Sequence, residues 1–331
     1  MNDGSNETSV RQADPAHLHL EGRPPADDML ARLRSFSRMV DEDAGRSEEQ
    51  QFVQTPGGRL FTTLVEPIGA RRDVGFLICH SFAFEQFELF PLELLFARRA
   101  AAAGFPTIYV QARGYGDSGG SLADATPQAH LRDALAAAAH LLARTSVGSV
   151  VPVGTRFGAA IALMATGELN APGVALWQPA LDLGAYLDAL LRAFSRARVV
   201  EEGGREGSPL TRASTKLLKA ALASGQEIDL FGYPLSPAFY AEAQATRPMD
   251  SLRHPPDRAL LLAVSSRANK EIGQGAARLE QMGVQVSVAS SEGPGLGAFG
   301  LGLPVSGHLA THLALFEDVA RRTISWAEEA W

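Results

Sequence analysis

Hydrophobic residues along this chain fall into two alternating patterns. Short unbroken runs of four to seven apolar residues mark buried strands, and longer stretches with apolar residues three or four apart mark helices. Val74 to Cys79, Pro106 to Gln111, Ser149 to Val153, Gly173 to Trp177, Ala259 to Val264 and Val284 to Ala289 read as strands. Between and after them, Gln86 to Ala103, Pro127 to Thr145, the segment opening at Ala159-Ala160-Ile161-Ala162-Leu163-Met164, Lys270 to Met282 and Leu309 to Trp331 read as helices. Such alternation predicts a mostly parallel sheet with helices on both faces, an α/β class. Ahead of it, Phe52-Val53-Gln54 and Arg59 to Val65 flank Thr55-Pro56-Gly57-Gly58, the pattern of a β-hairpin.

Two regions depart from this rhythm. Residues 1–25 are polar and end in Pro24-Pro25, too poor in apolar groups to offset ordering entropy, and read as a disordered tail. Met29, Leu30, Leu33, Phe36, Met39 and Val40 then recur at helical spacing, so residues 26–48 are expected to be an N-terminal helix that runs into an acidic stretch. From 181 to 256 the strands stop, and Leu181 to Val200 and Pro209 to Ala223 read as helices around a charged, glycine-containing linker. The organisation expected is a core of residues 50–180 and 257–331 carrying a helical cap insertion at 181–256. Such a cap would close over the carboxyl ends of the strands, where open α/β sheets bind ligands.

Length and composition narrow the function classes. At 331 residues with 46% hydrophobic content the chain supports one large core plus an insertion. A formal net charge of −7 argues against nucleic acid or an anionic membrane as partner. Cys79 is the single cysteine and Met1 to Val10 holds no apolar run, which together predict a cytoplasmic protein without an internal disulfide. The longest alanine-leucine run, Ala134 to Ala143, is far short of the roughly 20 residues that span a bilayer. The eight histidines are scattered, and the pair His308 and His312 lacks the glutamate and third ligand of a zinc motif, so neither metal nor cofactor is expected.

The stretch with most chemical content is Gly154-Thr155-Arg156-Phe157-Gly158, which lies between a predicted strand and a small-residue helix. It resembles the strand-turn-helix G-x-S-x-G elbow of the α/β-hydrolase fold, with Arg156 in the nucleophile's slot. A guanidinium carries donors only and keeps its proton, so it cannot attack a carbonyl carbon. An acyl-enzyme through position 156 is excluded by that chemistry.

Other candidates surround this slot. His80-Ser81-Phe82 follows a strand at the place where hydrolases donate one backbone N–H to the oxyanion hole, and the N–H of Phe157 would be the second donor. His80, Ser81, Phe157 and Thr155 are therefore candidate substrate-binding residues. Glu85 opens the next helix and is a candidate acid/base group as well as a helix-dipole partner. His308 precedes the last helix, the chain position of a triad histidine, with His312 read as a solvated helix residue. The loop after Val264 lacks the aspartate that would orient this histidine; Asp182 is the better-placed carboxylate and Glu271 a weaker one. Asp117 and Ser118 in Arg113-Gly114-Tyr115-Gly116-Asp117-Ser118 read as braces of a glycine turn.

Leu176-Trp177-Gln178-Pro179-Ala180, Gly154 to Ala159 and Gly232-Tyr233-Pro234-Leu235-Ser236-Pro237 resemble the exosortase-associated branch of the α/β-hydrolases over roughly residues 50–330. That resemblance implies a capped hydrolase fold with a non-serine elbow, in a bacterial protein. Similar proteins occur in clusters that make modified peptides, one of them a subunit of a peptide epimerase.

Two functions fit these residues. One is non-covalent acid-base chemistry such as isomerisation or epimerisation on a carbonyl or peptide substrate, with Arg156, His308, Glu85 and Asp182 as the catalytic candidates. The other is a non-catalytic pseudo-hydrolase that binds a peptide or completes a partner protein subunit. An esterase or peptidase using Ser81, Ser118 or Ser306 ranks below both.

Overall fold

The computed structural model describes residues 37–201, 214–264, 270–293 and 309–331. Its strands in chain order are β1 (Arg38–Asp41), β2 (Arg46–Thr55), β3 (Gly58–Pro67), β4 (Val74–Cys79), β5 (Thr107–Val110), β6 (Ser149–Thr155), β7 (Gly173–Trp177), β8 (Ile228–Leu230), β9 (Tyr233–Leu235), β10 (Arg258–Val264) and β11 (Gln285–Ser291). The helices are α1 (Phe84–Ala102), α2 (Pro127–Thr145), α3 (Phe157–Leu169), α4 (Leu183–Glu201), α5 (Thr215–Ala223), α6 (Pro237–Ala245), α7 (Lys270–Gln281) and α8 (Leu309–Glu328).

Nine strands form one sheet in the order β1-β2-β3-β5-β4-β6-β7-β10-β11. The β1, β2 and β3 neighbours pair antiparallel, β3 pairs antiparallel with β5, and every pair from β5 to β11 is parallel. The inner parallel strands are apolar because both their faces are covered, whereas edge strand β11 is mostly polar and partly exposed. On β4, Phe76 and Ile78 enter one core cluster with α1 and α8, while Leu77 and Cys79 enter the other with α2, α3, α4 and α7. Phe96 of α1 and Trp177 of β7 meet edge to face at 5.0 Å, and Trp177 donates its ring N–H to Thr323 of α8 at 3.0 Å. Burying each large apolar side chain of this kind contributes roughly 1.5–3 kcal/mol.

From β4 the chain steps to β5 on one side of the sheet and then returns to β6 on the other. The crevice at that reversal, at the carboxyl ends of β4 and β6, is where open α/β sheets accept ligands. Cys79 and Gly154 pair in register there, so the residues that follow each strand are neighbours.

Two expectations require correction. The helix expected over 26–48 does not extend through its second half, since Arg38–Asp41 and Arg46–Thr55 are antiparallel strands. Its first part, to residue 36, and the tail at 1–25 lie outside the described residues. The cap interval, expected to be two helices, also contains the β8–β9 hairpin and α6. No helix among the described residues is long and apolar enough to cross a membrane.

Candidate active site at the elbow after β6

The turn from β6 into α3 depends on two glycines. A Cβ on Gly154 would overlap the Gly158 carbonyl, and one on Gly158 would overlap the Cys79 carbonyl and lie 2.6 Å from that of His80. Between them Arg156 is at φ 55°, ψ −115°, a conformation that costs an L residue on the order of 1–3 kcal/mol. Ala83, at the entrance to α1, adopts nearly the same angles, φ 53° and ψ −137°, and Gln178 after β7 also has positive φ. The loops that leave β4, β6 and β7 are thus all strained where they meet the crevice.

Hydrogen bonds hold the elbow in this shape. The Arg156 N–H donates to the Trp177 carbonyl at 3.0 Å, and the Arg156 carbonyl accepts from Ala159 and Ala180, each at 3.1 Å. Ser81 donates its hydroxyl to the Thr155 carbonyl at 2.8 Å. The segment Trp177-Gln178-Pro179-Ala180 therefore clasps the turn from the β7 side and Ser81 from the β4 side.

The Arg156 side chain, 18% exposed, lies against a fully buried carboxylate. Its Nε is 3.6 Å from Glu85 Oε1, an ion-pair distance too long for a hydrogen bond, and its Nη1 is 3.5 Å from the Gln178 carbonyl. Its guanidinium carbon is 5.5 Å from the centroid of the Tyr186 ring, and the Tyr186 hydroxyl donates to Glu85 Oε2 at 2.8 Å. Tyr186 is buried, and desolvation followed by the Glu85 charge holds its proton well above the usual tyrosine range. Arg156, Glu85 and Tyr186 form one buried cluster from α1, the elbow and α4.

One helical turn beyond Glu85, half-buried Glu88 has an oxygen with no hydrogen-bond partner among the described residues. Burial, and then the neighbouring Glu85 charge, push its carboxyl up to about 7. Pairs of carboxyls with divergent environments are a recurrent source of acid and base roles.

The other sequence candidates separate. Phe157 occupies the first position of α3, so its N–H has no intrahelical acceptor, while its ring packs on Phe82, His130, Tyr186 and Phe239. His80 is braced rather than presented. Its Nε2 accepts from the Ala112 N–H at 3.0 Å and its Nδ1 contacts the Ser81 carbonyl at 2.6 Å, a pattern that fits the neutral ring with a proton on Nδ1. Burial pushes His80 down to about 4, against the opposing pull of the Ser81 carbonyl and Asp133. Ser81 and Thr155 are fully buried, and neither side chain faces solvent. Asp182 is exposed and accepts from the Ala185 N–H at 2.9 Å, so it caps α4 rather than approaching Arg156. Glu271 accepts from the Leu181 N–H at 2.7 Å and braces the same loop. Ser118 accepts from the Phe61 N–H at 2.8 Å and donates to the Gln111 carbonyl at 2.6 Å. His308 lies outside the described residues. His312 is buried on α8 and stacked on Phe316, not solvated as expected.

Sequence reasoning missed Tyr186, Glu88 and Glu93. Glu93 is fully buried on α1 and is pushed up to about 8 by desolvation, against the opposing pull of the Thr155 hydroxyl and the Ser81 backbone. No group of three or more metal-ligating side chains occurs among the described residues.

Solved structures place this architecture in a class. The ferulic acid-bound esterase Est1E from Butyrivibrio proteoclasticus matches 82% of this chain and 98% of its own at TM-score 0.51 and 13% identity. Brefeldin A esterase, a bacterial homologue of human hormone-sensitive lipase, matches 91% of this chain and 83% of its own at TM-score 0.51 and 16% identity. An esterase from Pyrobaculum calidifontis matches 91% and 90% at TM-score 0.50 and 14% identity. The chain has the α/β-hydrolase fold, with esterases among its structural neighbours. No family model and no curated protein sequence matches it.

Proposed function

We propose that the protein is a divergent member of this fold in which Arg156 takes the nucleophile's place, and that it moves a proton on a carbonyl or peptide substrate without a covalent intermediate. The observation that carries the reading is the guanidinium at a strained elbow, beside the buried carboxylate of Glu85. Arg156 has five donors and no basic lone pair, so its role is to hold a carboxylate or polarise a carbonyl. The Phe157 N–H, at the amino end of α3, adds a backbone donor for developing negative charge. Abstraction of a proton next to a carbonyl requires this set plus a base, and no nucleophile. Glu85 and His308 are the base candidates, and Glu88 is a carboxyl whose proton exchanges near neutral pH. The setting consistent with the sequence resemblance is a cytoplasmic step in bacterial modified-peptide biosynthesis, carried out on a small molecule or peptide, alone or with a partner protein.

A second reading is favoured by one feature of the cluster. Arg156 and Glu85 neutralise each other, and Tyr186 fills the remaining Glu85 oxygen, which suits a pseudo-hydrolase that binds without turning over.

One experiment separates the two. The protein, with and without the products of neighbouring genes, is incubated in deuterium oxide with short peptides, N-acyl amino acids and p-nitrophenyl esters, and the products are weighed by mass spectrometry. Deuterium is expected at a carbon centre with no cleavage, and Glu85→Gln or His308→Ala should lower its incorporation by about 10²–10⁴-fold if that residue is the base. Ester or amide cleavage would overturn the proton-transfer reading, and an unchanged mixture in every combination would favour the binding subunit.

A further inference from the structure

Behind the elbow lies a set of polar groups that the proposed chemistry does not use. Both carboxyl oxygens of Glu93 and the hydroxyl of Thr155 are buried and lack a hydrogen-bond partner among the described residues. Three unsatisfied buried polar atoms in one place require explanation, because each costs on the order of 1–3 kcal/mol if left unpaired. The groups facing this carboxyl are the Thr155 hydroxyl and the Ser81 backbone. Thr155 is two residues before Phe157 and Ser81 is one residue before Phe82, so the carboxyl stands between the two loops that border the crevice.

We propose that Glu93 is a positioning residue that ties the loop after β4 to the elbow after β6, acting as a neutral carboxylic acid between Ser81 and Thr155. A protonated carboxyl both donates and accepts, so it can take the Ser81 N–H on one oxygen and give its own proton to Thr155 Oγ1. Small adjustments of the side chain complete both bonds. An ionised carboxyl accepts only, and in this site it would be a buried charge without an ion-pair partner among the described residues.

The surroundings support a proton on Glu93. Cys79 of β4 and Tyr109 of β5 are the titratable groups beside it, and the Glu93 charge raises the values of both. From β6 the facing group is Thr155, and α8 turns Leu315, Phe316, Val319 and Ala320 to the core it shares with α1. The ion-paired glutamate on the β2 side, Glu48, is bound to Arg98 further along α1. With desolvation dominant, the folded value near 8 lies above the ordinary value of 4.5. The folded chain therefore holds this proton more tightly than the unfolded chain does. The penalty from Glu93 is absent below about 4.5, grows as pH rises to about 8, and is constant above that. Loosening of the elbow should track ionisation itself, with its midpoint near the folded value. The inference stands on the elbow's geometry and holds whichever reaction the site performs.

The test is a pH titration of the full-length protein by heteronuclear NMR, following the glutamate side-chain carboxyl carbons and the backbone amides of Phe82 and Phe157. The expected result is a Glu93 midpoint near 8, with both amides shifting at the same midpoint, and loss of all three transitions in Glu93→Gln. The Thr155 hydroxyl accepts from the neutral acid but donates more strongly to the ionised form, so Thr155→Val should raise the midpoint measurably. A Glu93 midpoint below about 5, near the free carboxyl, would overturn the proposal. So would a midpoint near 8 with neither amide responding, or amide transitions that persist in Glu93→Gln. Should Glu93→Gln fail to fold, the wild-type titration and Thr155→Val decide, and an unmoved midpoint in the latter sinks the inference.

Discussion

Replacing Gly158 by alanine is expected to destabilise the protein by at least about 4 kcal/mol, a large part of the 5–15 kcal/mol that holds a typical domain together. The new methyl group would be forced into the Cys79 and His80 carbonyls, which belong to β4 and its following loop. Backbone cannot swing aside as a flexible side chain does, so either α3 moves off the sheet or the β4 loop is displaced. Chemical denaturation should show a much lower midpoint, or the variant should be recovered only as aggregate. A midpoint within experimental error of wild type would mean that the turn is looser than its geometry implies. Gly273, whose Cβ would enter open space, provides the control, and its alanine variant should be neutral or slightly stabilising because it lies within α7.

Arg156→Ala is expected to have the second largest effect. It leaves a fully buried carboxylate, which accepts from the Tyr186 hydroxyl, without its guanidinium partner. Breaking a buried ion pair from one side costs about 3–5 kcal/mol, and the 18% exposure of the arginine places this pair toward the lower end. The double variant Arg156→Ala with Glu85→Gln removes the stranded charge as well and should recover part of the loss. A double variant with no recovery would show that the arginine stabilises by packing alone.

How much of this was legible in the sequence depended on how completely each element is buried. Val74–Cys79, Pro127–Thr145 and Gly173–Trp177 could be bounded to the residue, because strands covered on both faces and long amphipathic helices carry the strongest patterns. Ile228–Leu230 and Tyr233–Leu235 are three residues each, too short for a period to register. Met39 and Val40 fitted a helical stripe, yet they sit exposed on edge strand β1, where apolar spacing carries no information about burial.

The site divided in a similar way. Gly154 and Gly158 announced a tight turn, and the structure supplies the backbone collisions that require them. Asp182 carried two competing signals, a carboxylate after a core strand and a cap before a helix, and the cap prevailed. Tyr186 was hidden because it continues the buried stripe of Leu187, Leu190, Leu191 and Phe194 on α4. Glu93 was detectable in principle, since helical periodicity places it among Leu89, Leu92, Phe96 and Ala97 on the inward face of α1. A charged residue inside such a stripe is an anomaly that pattern-matching for catalytic motifs passes over.

The clasp around residue 156 is made of main-chain groups. Trp177, Ala159 and Ala180 grip its N–H and carbonyl, and flanking glycines admit the turn. None of these contacts reads the side chain at the apex. The scaffold thus behaves as a socket: it holds the main chain at 156 at a fixed angle to the crevice, while the charge of Glu85 sets which side chain suits the insert. Loss or gain of a reaction type in such a protein would then require few changes, because the costly part, the holder, is encoded elsewhere in the chain.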